Sequence, residues 1–251
     1  MSQHKRAYVL MSGGVDSTTC LYKAIEHMGS ADKVKSFSMD YGPLHVKEAE
    51  QAKKICANLG IEHTVLDIRG FASGPLTSKP EDIPDCSYAD IKGMSPTYMP
   101  FRNGFMLSRL AAKAQEYVLS VEAEMKYESI QQLGEEHINP ASLEDLVWIY
   151  FGAHAEDAEN WAYPDCTPEF IGAMSNAIYI GTYRSVRVVV PFAYSSKGDI
   201  IHKGTQLGVP YEDTWSCYKG LEKHCGTCPT CLARKQAFIE AGVTDPTEYL
   251  A

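Results

Sequence analysis

Residues 12–17, with the sequence SGGVDS, place two glycines beside hydroxyl and carboxylate side chains. Glycine lets a bound group approach the backbone closely, and the N–H groups at the start of a helix attract anions. A carboxylate would repel phosphates unless a divalent cation such as Mg²⁺ bridges the two. The string therefore predicts a phosphate-binding loop, and a glycine turn with Asp16 or Ser17 as helix N-cap is the alternative. The chain has neither G-x-x-x-x-G-K-[ST] nor G-x-G-x-x-G, which excludes the common nucleotide loops.

A second group of reactive side chains lies near the C-terminus, where four cysteines fall within fifteen residues: Cys217, Cys225, Cys228 and Cys231. Four thiolates at C-x₇-C-x₂-C-x₂-C spacing satisfy tetrahedral Zn²⁺, so we predict a structural zinc site. A redox C-x-x-C pair and an iron–sulfur cluster remain alternatives, because both use the same ligands. His224 adjoins the second cysteine and is interpreted as a bystander.

Composition limits the possible functions. The 251 residues carry a formal charge of −9, which argues against a surface that holds nucleic acid by bulk attraction. No stretch approaches 18 uncharged apolar residues, so no membrane-spanning helix is expected. The first apolar run, Ala7 to Met11, is too short for a secretory signal. With the remaining four cysteines scattered, we expect a cytoplasmic protein.

The elements that would position these groups follow from apolar periodicity. Strand-like and helix-like segments alternate, which predicts an α/β fold with a doubly wound, mostly parallel sheet. The predicted strands are Ala7–Met11, Val34–Met39, Glu62–Ile68, Val147–Ala153 and Val186–Val190. The predicted helices are Ser17–Met28, Leu44–Leu59, Asn103–Tyr117, Pro168–Ile180, Gly198–Leu207 and Thr230–Ala241.

Two stretches interrupt this alternation. Residues 70–100 contain five prolines and are expected to form a long irregular segment, which is often functional. Residues 118–146 are charged and largely helical, and we interpret them as an extension or insertion whose simplest role is a solvated surface or a dimer contact. We expect a nucleotide-binding and catalytic domain over residues 1–210 and a zinc-binding segment over residues 211–251.

The string at residues 12–17 resembles the signature of the pyrophosphatase-loop ATP enzymes, which cleave ATP to AMP and pyrophosphate. Further strings narrow the resemblance: YPDCTPEF at 163–170, Pro191 with Lys197, TWSCY at 214–218 and AGVTDPT at 241–247. Together they resemble the 7-cyano-7-deazaguanine synthase family over nearly the whole chain. The resemblance implies an adenine nucleotide alpha hydrolase-like fold, ATP, Mg²⁺ and Zn²⁺ as cofactors, and a homodimer.

It also implies a reaction in queuosine and 7-deazapurine biosynthesis. The carboxylate of 7-carboxy-7-deazaguanine is adenylated, ammonia displaces AMP to give an amide, and a second activation dehydrates the amide to 7-cyano-7-deazaguanine. The expected partners are therefore small molecules, with no direct nucleic acid and no membrane.

The resemblance carries roles to particular residues. The nucleotide contacts would be Ser12, Gly13, Gly14, Val15, Asp16, Ser17 and Met39, and the catalytic residues Asp16, Lys197 and Arg102. The substrate contacts would be Arg102, Asn103, Asp157, Tyr163 and Asp165. Lys197 would offset charge on the phosphates, and Arg102 would pair the substrate carboxylate or an ATP phosphate. The two aspartates would accept substrate N–H groups, with Glu156 a rival of Asp157, and Tyr163 or Phe101 would stack on the ring.

Two departures from the family pattern stand out. Phe101 occupies the position where the pattern P-G-R-N has glycine, so we expect an altered substrate pocket there. Residues 118–146 are longer than the family suggests. They leave open a diverged enzyme that stops at the amide or couples the substrate to another amine, such as a protein N-terminus. A tRNA thiolase is a further alternative, which the acidic balance disfavours. A catalytically silent nucleotide-binding scaffold is disfavoured by the presence of Asp16 and Lys197.

Overall fold

The computed structural model describes residues 3–41, 46–70 and 83–250. Within these ranges, five parallel strands form one sheet in the order β3-β2-β1-β4-β5. The strands are β1 Arg6–Leu10, β2 Val34–Asp40, β3 Glu62–Asp67, β4 Val147–Tyr150 and β5 Val186–Val189. The α-helices are α1 Val15–Met28, α2 Val46–Asn58, α3 Arg102–Leu133, α4 Pro168–Gly181, α5 Lys197–Leu207 and α6 Pro229–Glu240. The predicted doubly wound α/β fold is confirmed.

The central strand β1 shows why helices cover both faces of the sheet. Its side chains are apolar in both directions, so neither face can be left in water. Ala7 and Val9 pack in a core that includes residues of α1, α2 and α5. Tyr8 and Leu10 point the other way, into a core with α3 and α4. The alternation along one strand therefore joins two apolar layers.

The strand β4 is shorter than predicted, because the sheet pairing ends at Tyr150 and not at Ala153. The next residues pass close to the start of α1, where a Cβ added to Gly152 would lie 3.2 Å from the carbonyl carbon of Asp16. The apolar run was correctly identified as buried. Its last three residues form a wall of the cleft described below and leave the sheet.

The helix α3 continues 16 residues beyond the predicted end at Tyr117 and stops at Leu133, where Gly134 adopts φ +80°. The chain then turns back, with the Ser129 hydroxyl donating to the Glu135 carbonyl and accepting from the His137 amide. Much of the charged stretch 118–146 is thus helical, as expected. No helix in the described residues has the length and apolar character needed to cross a membrane.

The segment after residue 210 is packed onto the sheet domain. Phe238 of α6 shares an apolar cluster with Val15 of α1 and Ile201 of α5. Residues 83–101 are irregular apart from a short 3₁₀ turn at Tyr88–Asp90, which agrees with the expectation for that part of 70–100. Leu44, the predicted start of the second helix, and residues 71–82 of the predicted irregular segment lie outside the described residues.

Candidate active site

A cleft opens at the carboxyl edge of the sheet, beside the ends of β1, β2 and β4. Its wall includes Met11, Met39 and Phe151, one from each of these strand ends. The chain connections run to opposite sides of the sheet at β1 and β4, and this reversal is where open α/β sheets bind ligands. The predicted residues lining this cleft are Ser12, Gly14, Val15, Asp16, Ser17, Met39, Arg102, Asn103, Asp157, Tyr163 and Lys197.

The loop at residues 12–17 is held in shape by its glycines. Gly13 adopts φ +85°, and a Cβ there would lie 2.3 Å from the Glu48 carbonyl oxygen on α2. Backbone cannot move aside cheaply, so a side chain is excluded on both grounds. On the opposite side, the Trp215 amide donates to the Gly13 carbonyl at 2.9 Å. The loop is therefore held between α2 and a segment from the C-terminal part of the chain.

The first turn of α1 is available to an anion. Its N-cap is Gly14, and no side chain caps the helix, so the alternative of an Asp16 or Ser17 cap is not what the structure has. The Ser17 hydroxyl instead donates to the Gly14 carbonyl and lies 3.0 Å from the Ser12 hydroxyl. Helix amides left without a side-chain cap, together with the helix dipole, favour negative charge at this position.

Asp16 and Lys197 form a partly buried ion pair at the edge of this loop, with Nζ 3.0 Å from Oδ2. Burial alone would raise the pKa of Asp16, but the Lys197 ammonium outweighs it and holds the pKa below its usual value. Burial would likewise lower the pKa of Lys197, yet Asp16 and Asp157 raise it above its usual value. Both groups are therefore charged near neutral pH. The second oxygen of Asp16, Oδ1, is buried without a hydrogen-bond partner in the described part of the chain.

His154 joins this group, although sequence reasoning did not select it. Its Nε2 lies 3.4 Å from Oδ1 of Asp157 and 3.7 Å from Oδ2 of Asp16, and the ring is 2% exposed. The structure separates the two rivals at 156 and 157. Asp157 lines the cleft, whereas the Glu156 carboxylate accepts a hydrogen bond from the Lys197 backbone amide.

The far end of the cleft combines one arginine with several phenols. Arg102 begins α3, and Tyr41, Tyr88, Tyr163 and Tyr218 line the cleft with it. The guanidinium lies 5.6 Å from the centre of the Tyr41 ring, and no described carboxylate lies within ion-pair distance of it. Burial raises the pKa of Tyr88 and of Tyr218 well above the usual value, so both phenols stay neutral. A partly buried guanidinium that faces a cleft and has no described carboxylate within ion-pair distance is suited to an anionic ligand.

Asp165 and Asn103 meet beneath this end of the cleft. The carboxylate of Asp165 is 4% exposed, does not line the cleft, and accepts the Asn103 backbone amide at 2.9 Å. It thereby satisfies a free N–H at the start of α3. The Asn103 side chain donates to the Asp165 carbonyl and to the Cys166 sulfur. The structure therefore gives Asp165 a role in holding α3, and places Asn103 next to the cleft.

The structure places the ring of Phe101 outside the cleft. Its backbone adopts φ 53° and ψ 27°, a conformation that favours glycine, but its ring is 52% exposed and is not part of the cleft wall. The ring instead packs edge-on against Phe170 and lies over Gly104, where an added Cβ would be 2.4 Å from the ring. Of the two aromatic candidates for stacking, only Tyr163 borders the cleft.

The four cysteines converge as the spacing predicted. The sulfurs of Cys217, Cys225, Cys228 and Cys231 are buried and lie within 4.8 Å of one another. A closed set of four thiolates is the usual donor set of structural zinc, so the residues fit such an ion. His224 is not placed as a metal ligand, because its Nε2 accepts a hydrogen bond from the Ser216 amide and its ring packs against Trp215. Burial lowers the pKa of His224 to about 4, which keeps the ring neutral.

The contributions of Tyr88, His154, Trp215 and Tyr218 were missed from the sequence. Trp215 and Tyr218 lie within the string TWSCY at 214–218, and that string was the available signal. Tyr88 and His154 lie outside regular strands and α-helices, and only the tertiary fold brings Tyr88 to the cleft and His154 beside Asp16 and Asp157.

The parallel sheet, its cleft at the reversal point and the four-cysteine cluster together define a doubly wound α/β protein with a C-terminal segment whose thiols fit a metal ion. Residues 6–123 and 140–242 match the family described as queuosine biosynthesis protein QueC, and the chain belongs to this family. The unmatched residues 124–139 fall inside the predicted insertion.

Three individual relatives share the name 7-cyano-7-deazaguanine synthase. The 7-cyano-7-deazaguanine synthase of Marinomonas sp. (strain MWYL1) is 39% identical, over 98% of this chain and 99% of that protein. The 7-cyano-7-deazaguanine synthase of Caldicellulosiruptor bescii is 39% identical, over 97% of each chain. That of Methanoregula boonei is 37% identical, over 97% of this chain and 99% of that protein. The predicted family resemblance is confirmed.

Proposed function

We propose that this protein converts 7-carboxy-7-deazaguanine and ammonia to 7-cyano-7-deazaguanine, with cleavage of ATP to AMP and pyrophosphate at each activation. The observation that carries the proposal is one cleft with two different ends. One end holds an anion-binding loop beside the Asp16–Lys197 pair, and the other holds Arg102 among neutral phenols. The chain's relatives named 7-cyano-7-deazaguanine synthase support the same reaction.

The first end is suited to the phosphates of ATP. The uncapped amides at the start of α1 would bind phosphate oxygens, and Lys197 would offset the negative charge that develops as pyrophosphate leaves. Met39, at the end of β2, would lie near the adenosine. The unpartnered Oδ1 of Asp16 fits a cation, and we assign it to Mg²⁺. That ion would bridge the phosphates and neutralise part of their charge.

The second end is suited to a planar substrate that carries a carboxylate. Arg102 would bind the carboxylate and orient one of its oxygens toward the α-phosphate of ATP. That oxygen attacks phosphorus, pyrophosphate leaves, and the product is an acyl adenylate. Ammonia then attacks the acyl carbon, AMP leaves with the carboxylate oxygen, and an amide remains. Asp157, which faces the cleft, is our candidate to accept the proton released from the attacking nitrogen.

The amide oxygen repeats the attack on a second ATP. Loss of pyrophosphate and of one N–H proton gives an O-adenylated imidate; loss of AMP then breaks the carbon–oxygen bond, and loss of the remaining N–H proton leaves the nitrile. Oxide is a very poor leaving group, so each of the two carboxylate oxygens of the substrate must depart as part of AMP. The same loop and the same lysine serve both activations, so one cleft suffices.

The heterocycle would lie against Tyr163. The hydroxyl of this residue accepts a hydrogen bond from Ser95 at 3.0 Å, and Tyr88 meets its ring edge-on at 6.2 Å between centroids. A ring held from two sides offers a fixed stacking surface at low entropic cost. Of the two aspartates expected to accept substrate N–H groups, only Asp157 lines the cleft, and we propose it for that role. Asp165 acts at a distance, by fixing the start of α3 that carries Arg102 and Asn103.

We assign residues 1–210 to ATP and substrate binding, with 118–146 as an insertion, and residues 211–251 to zinc binding. Zinc is preferred over an iron–sulfur cluster because four protein thiolates fill a tetrahedral site. We further propose that the protein is a cytoplasmic homodimer with small-molecule partners and no direct contact with nucleic acid. Light scattering of the purified protein tests the dimer.

The deciding experiment incubates the purified protein with ATP, Mg²⁺, 7-carboxy-7-deazaguanine and ammonium and identifies the products by mass spectrometry. We expect the nitrile together with AMP and pyrophosphate. Formation of the amide alone, or turnover only after a peptide amine is added, would support the diverged enzyme, for which the comparisons give no support. Absence of AMP formation under all these conditions would refute the proposal.

A further inference from the structure

Arg234 is a fully buried guanidinium outside the cleft, and the reaction proposed above does not use it. It lies on α6, three residues after Cys231, and its exposed fraction is 0%. A buried guanidinium is costly unless hydrogen bonds and a counter-charge satisfy it. The acceptors of its five N–H groups therefore show which segments of the chain this side chain holds in position.

The contacts of Arg234 divide between an anchor and a target. The anchor is Asp245, whose carboxylate oxygens lie 3.1 and 3.3 Å from Nε. The target is a short segment, residues 211–216, which we call the strap. Nη1 donates to the Thr214 hydroxyl at 2.7 Å and to the Ser216 hydroxyl at 3.3 Å, and Nη2 donates to the Tyr211 carbonyl at 3.0 Å.

The strap in turn forms one side of the phosphate loop. Its Trp215 amide donates to the Gly13 carbonyl at 2.9 Å, and a Cβ on Gly14 would lie 3.3 Å from the Trp215 carbonyl oxygen. The other side of Gly13 is closed by the backbone of α2.

We propose that Arg234 is a positioning residue for the phosphate loop, acting through the strap without touching the nucleotide. Its planar guanidinium donates to Tyr211, Thr214 and Ser216 at once, which the compact ammonium of a lysine cannot do with the same geometry. The strap then sets the position of Gly13 and the direction of the first amides of α1. Arg234 also stands one helical turn after Cys231, so the four-cysteine segment and the nucleotide site share this link.

This inference rests on the proposed nucleotide site, so the first test uses no nucleotide. Hydrogen–deuterium exchange of the unliganded protein compares Arg234→Lys with Gln236→Ala, an exposed position two residues further along α6. In Arg234→Lys we expect about tenfold faster exchange in peptides covering residues 10–18 and 211–216, with metal content and exchange in β4 unchanged. A general loss of structure would instead accelerate exchange throughout, and that result would overturn the proposal.

The second test measures the Kd of ATP with Mg²⁺ by calorimetry, together with binding stoichiometry. For Arg234→Lys we expect about tenfold weaker binding at full stoichiometry, and no change for Gln236→Ala. Thr214→Val removes the hydroxyl that accepts from Nη1 and donates to the Tyr211 carbonyl within the strap, and we expect a smaller change in the same direction. If Arg234→Lys does not fold, Thr214→Val decides the matter by both measurements.

Unchanged exchange in the loop and an unchanged Kd, in a folded variant that retains its metal, would overturn the positioning role and leave the reaction untouched. Conversely, failure to form the nitrile would refute the proposed function, while the exchange measurement would still test Arg234.

Discussion

Asp16 and Lys197 are 181 residues apart in the chain, yet the Lys197 ammonium lies 3.0 Å from a carboxylate oxygen of Asp16. The two residues occupy the first turns of α1 and α5, which pack side by side under the cleft. The pair therefore places one positive and one negative group at the same edge of the phosphate loop. This arrangement is consistent with a site that must hold both phosphates and a divalent cation.

Removing either member of the pair tests its role in ATP chemistry. We expect Asp16→Ala to abolish ATP turnover with the fold retained, and Lys197→Met to lower kcat by about 10²–10³-fold, since one preorganised cationic donor is lost. Formation of AMP measures both. Lys203→Met is the matched control, because this lysine lies on the same helix and faces Glu26 at the surface. Full turnover by Asp16→Ala would show that the loop assignment is wrong.

The same pair predicts how stability depends on pH. The pKa of Asp16 is lowered in the folded protein, so the unfolded chain binds more protons as the pH falls toward the ordinary aspartate pKa of about 3.9. The stabilising contribution is present above that pH and is lost as the pH falls through the folded pKa. We expect the unfolding free energy to fall less steeply in Asp16→Asn than in the unaltered protein between about pH 5 and about pH 3. Urea unfolding at several pH values measures the slopes, and equal slopes would contradict the prediction.

Arg102 distinguishes between two anions. If its guanidinium binds the substrate carboxylate, Arg102→Met raises the KM for 7-carboxy-7-deazaguanine by about 10–100-fold, as expected for a lost charged hydrogen bond, while the KM for ATP changes little. Arg102→Lys recovers only part of this loss, because an ammonium lacks the planar fork. Arg109→Met, two turns along α3, serves as the control. A rise confined to the KM for ATP would assign the guanidinium to a phosphate.

Metal binding is tested at Cys228. We expect Cys228→Ser to lose the bound zinc and to lower the Tm by several degrees, because a closed site contributes its binding free energy to folding. Elemental analysis by mass spectrometry gives the metal content per chain. Cys86→Ser is the control, since Cys86 lies outside the four-cysteine cluster. Iron and acid-labile sulfide in the purified protein would favour the cluster alternative.

Phe101 and Gly104 form a packing pair that is open to a double-mutant cycle. Gly104→Ala places a methyl group against the Phe101 ring, and we expect about 1–3 kcal/mol of destabilisation from overpacking. In a Phe101→Gly background the ring is gone, so the same change is expected to cost much less. Phe101→Gly alone is expected to leave the KM for the carboxylate substrate nearly unchanged, because the ring lies outside the cleft. A large change in that KM would show that Phe101 contributes to substrate binding.

The parts of the fold that were predicted from the sequence depend on neighbouring residues. The alternation of β1, α1 and β2 follows from apolar spacing within each segment, and the glycine string falls between the first two of them. The end of β4 was misplaced, because the residues after Tyr150 are apolar for a different reason: they line the cleft. Asp165 was selected as a substrate acceptor on its residue type, whereas packing directs its carboxylate to the Asn103 amide.

By itself, the sequence determined the α/β class, the glycine loop at residues 12–17 between β1 and α1, the close grouping of four cysteines and the family. Each of these is encoded in local periodicity or in short fixed spacings. Only the tertiary structure decided which distant side chains meet: Lys197 with Asp16, His154 between two carboxylates, and Arg234 with the strap that supports Gly13. The physical reason is that such contacts join residues from separate elements, and their geometry is set by how helices pack on a twisted sheet.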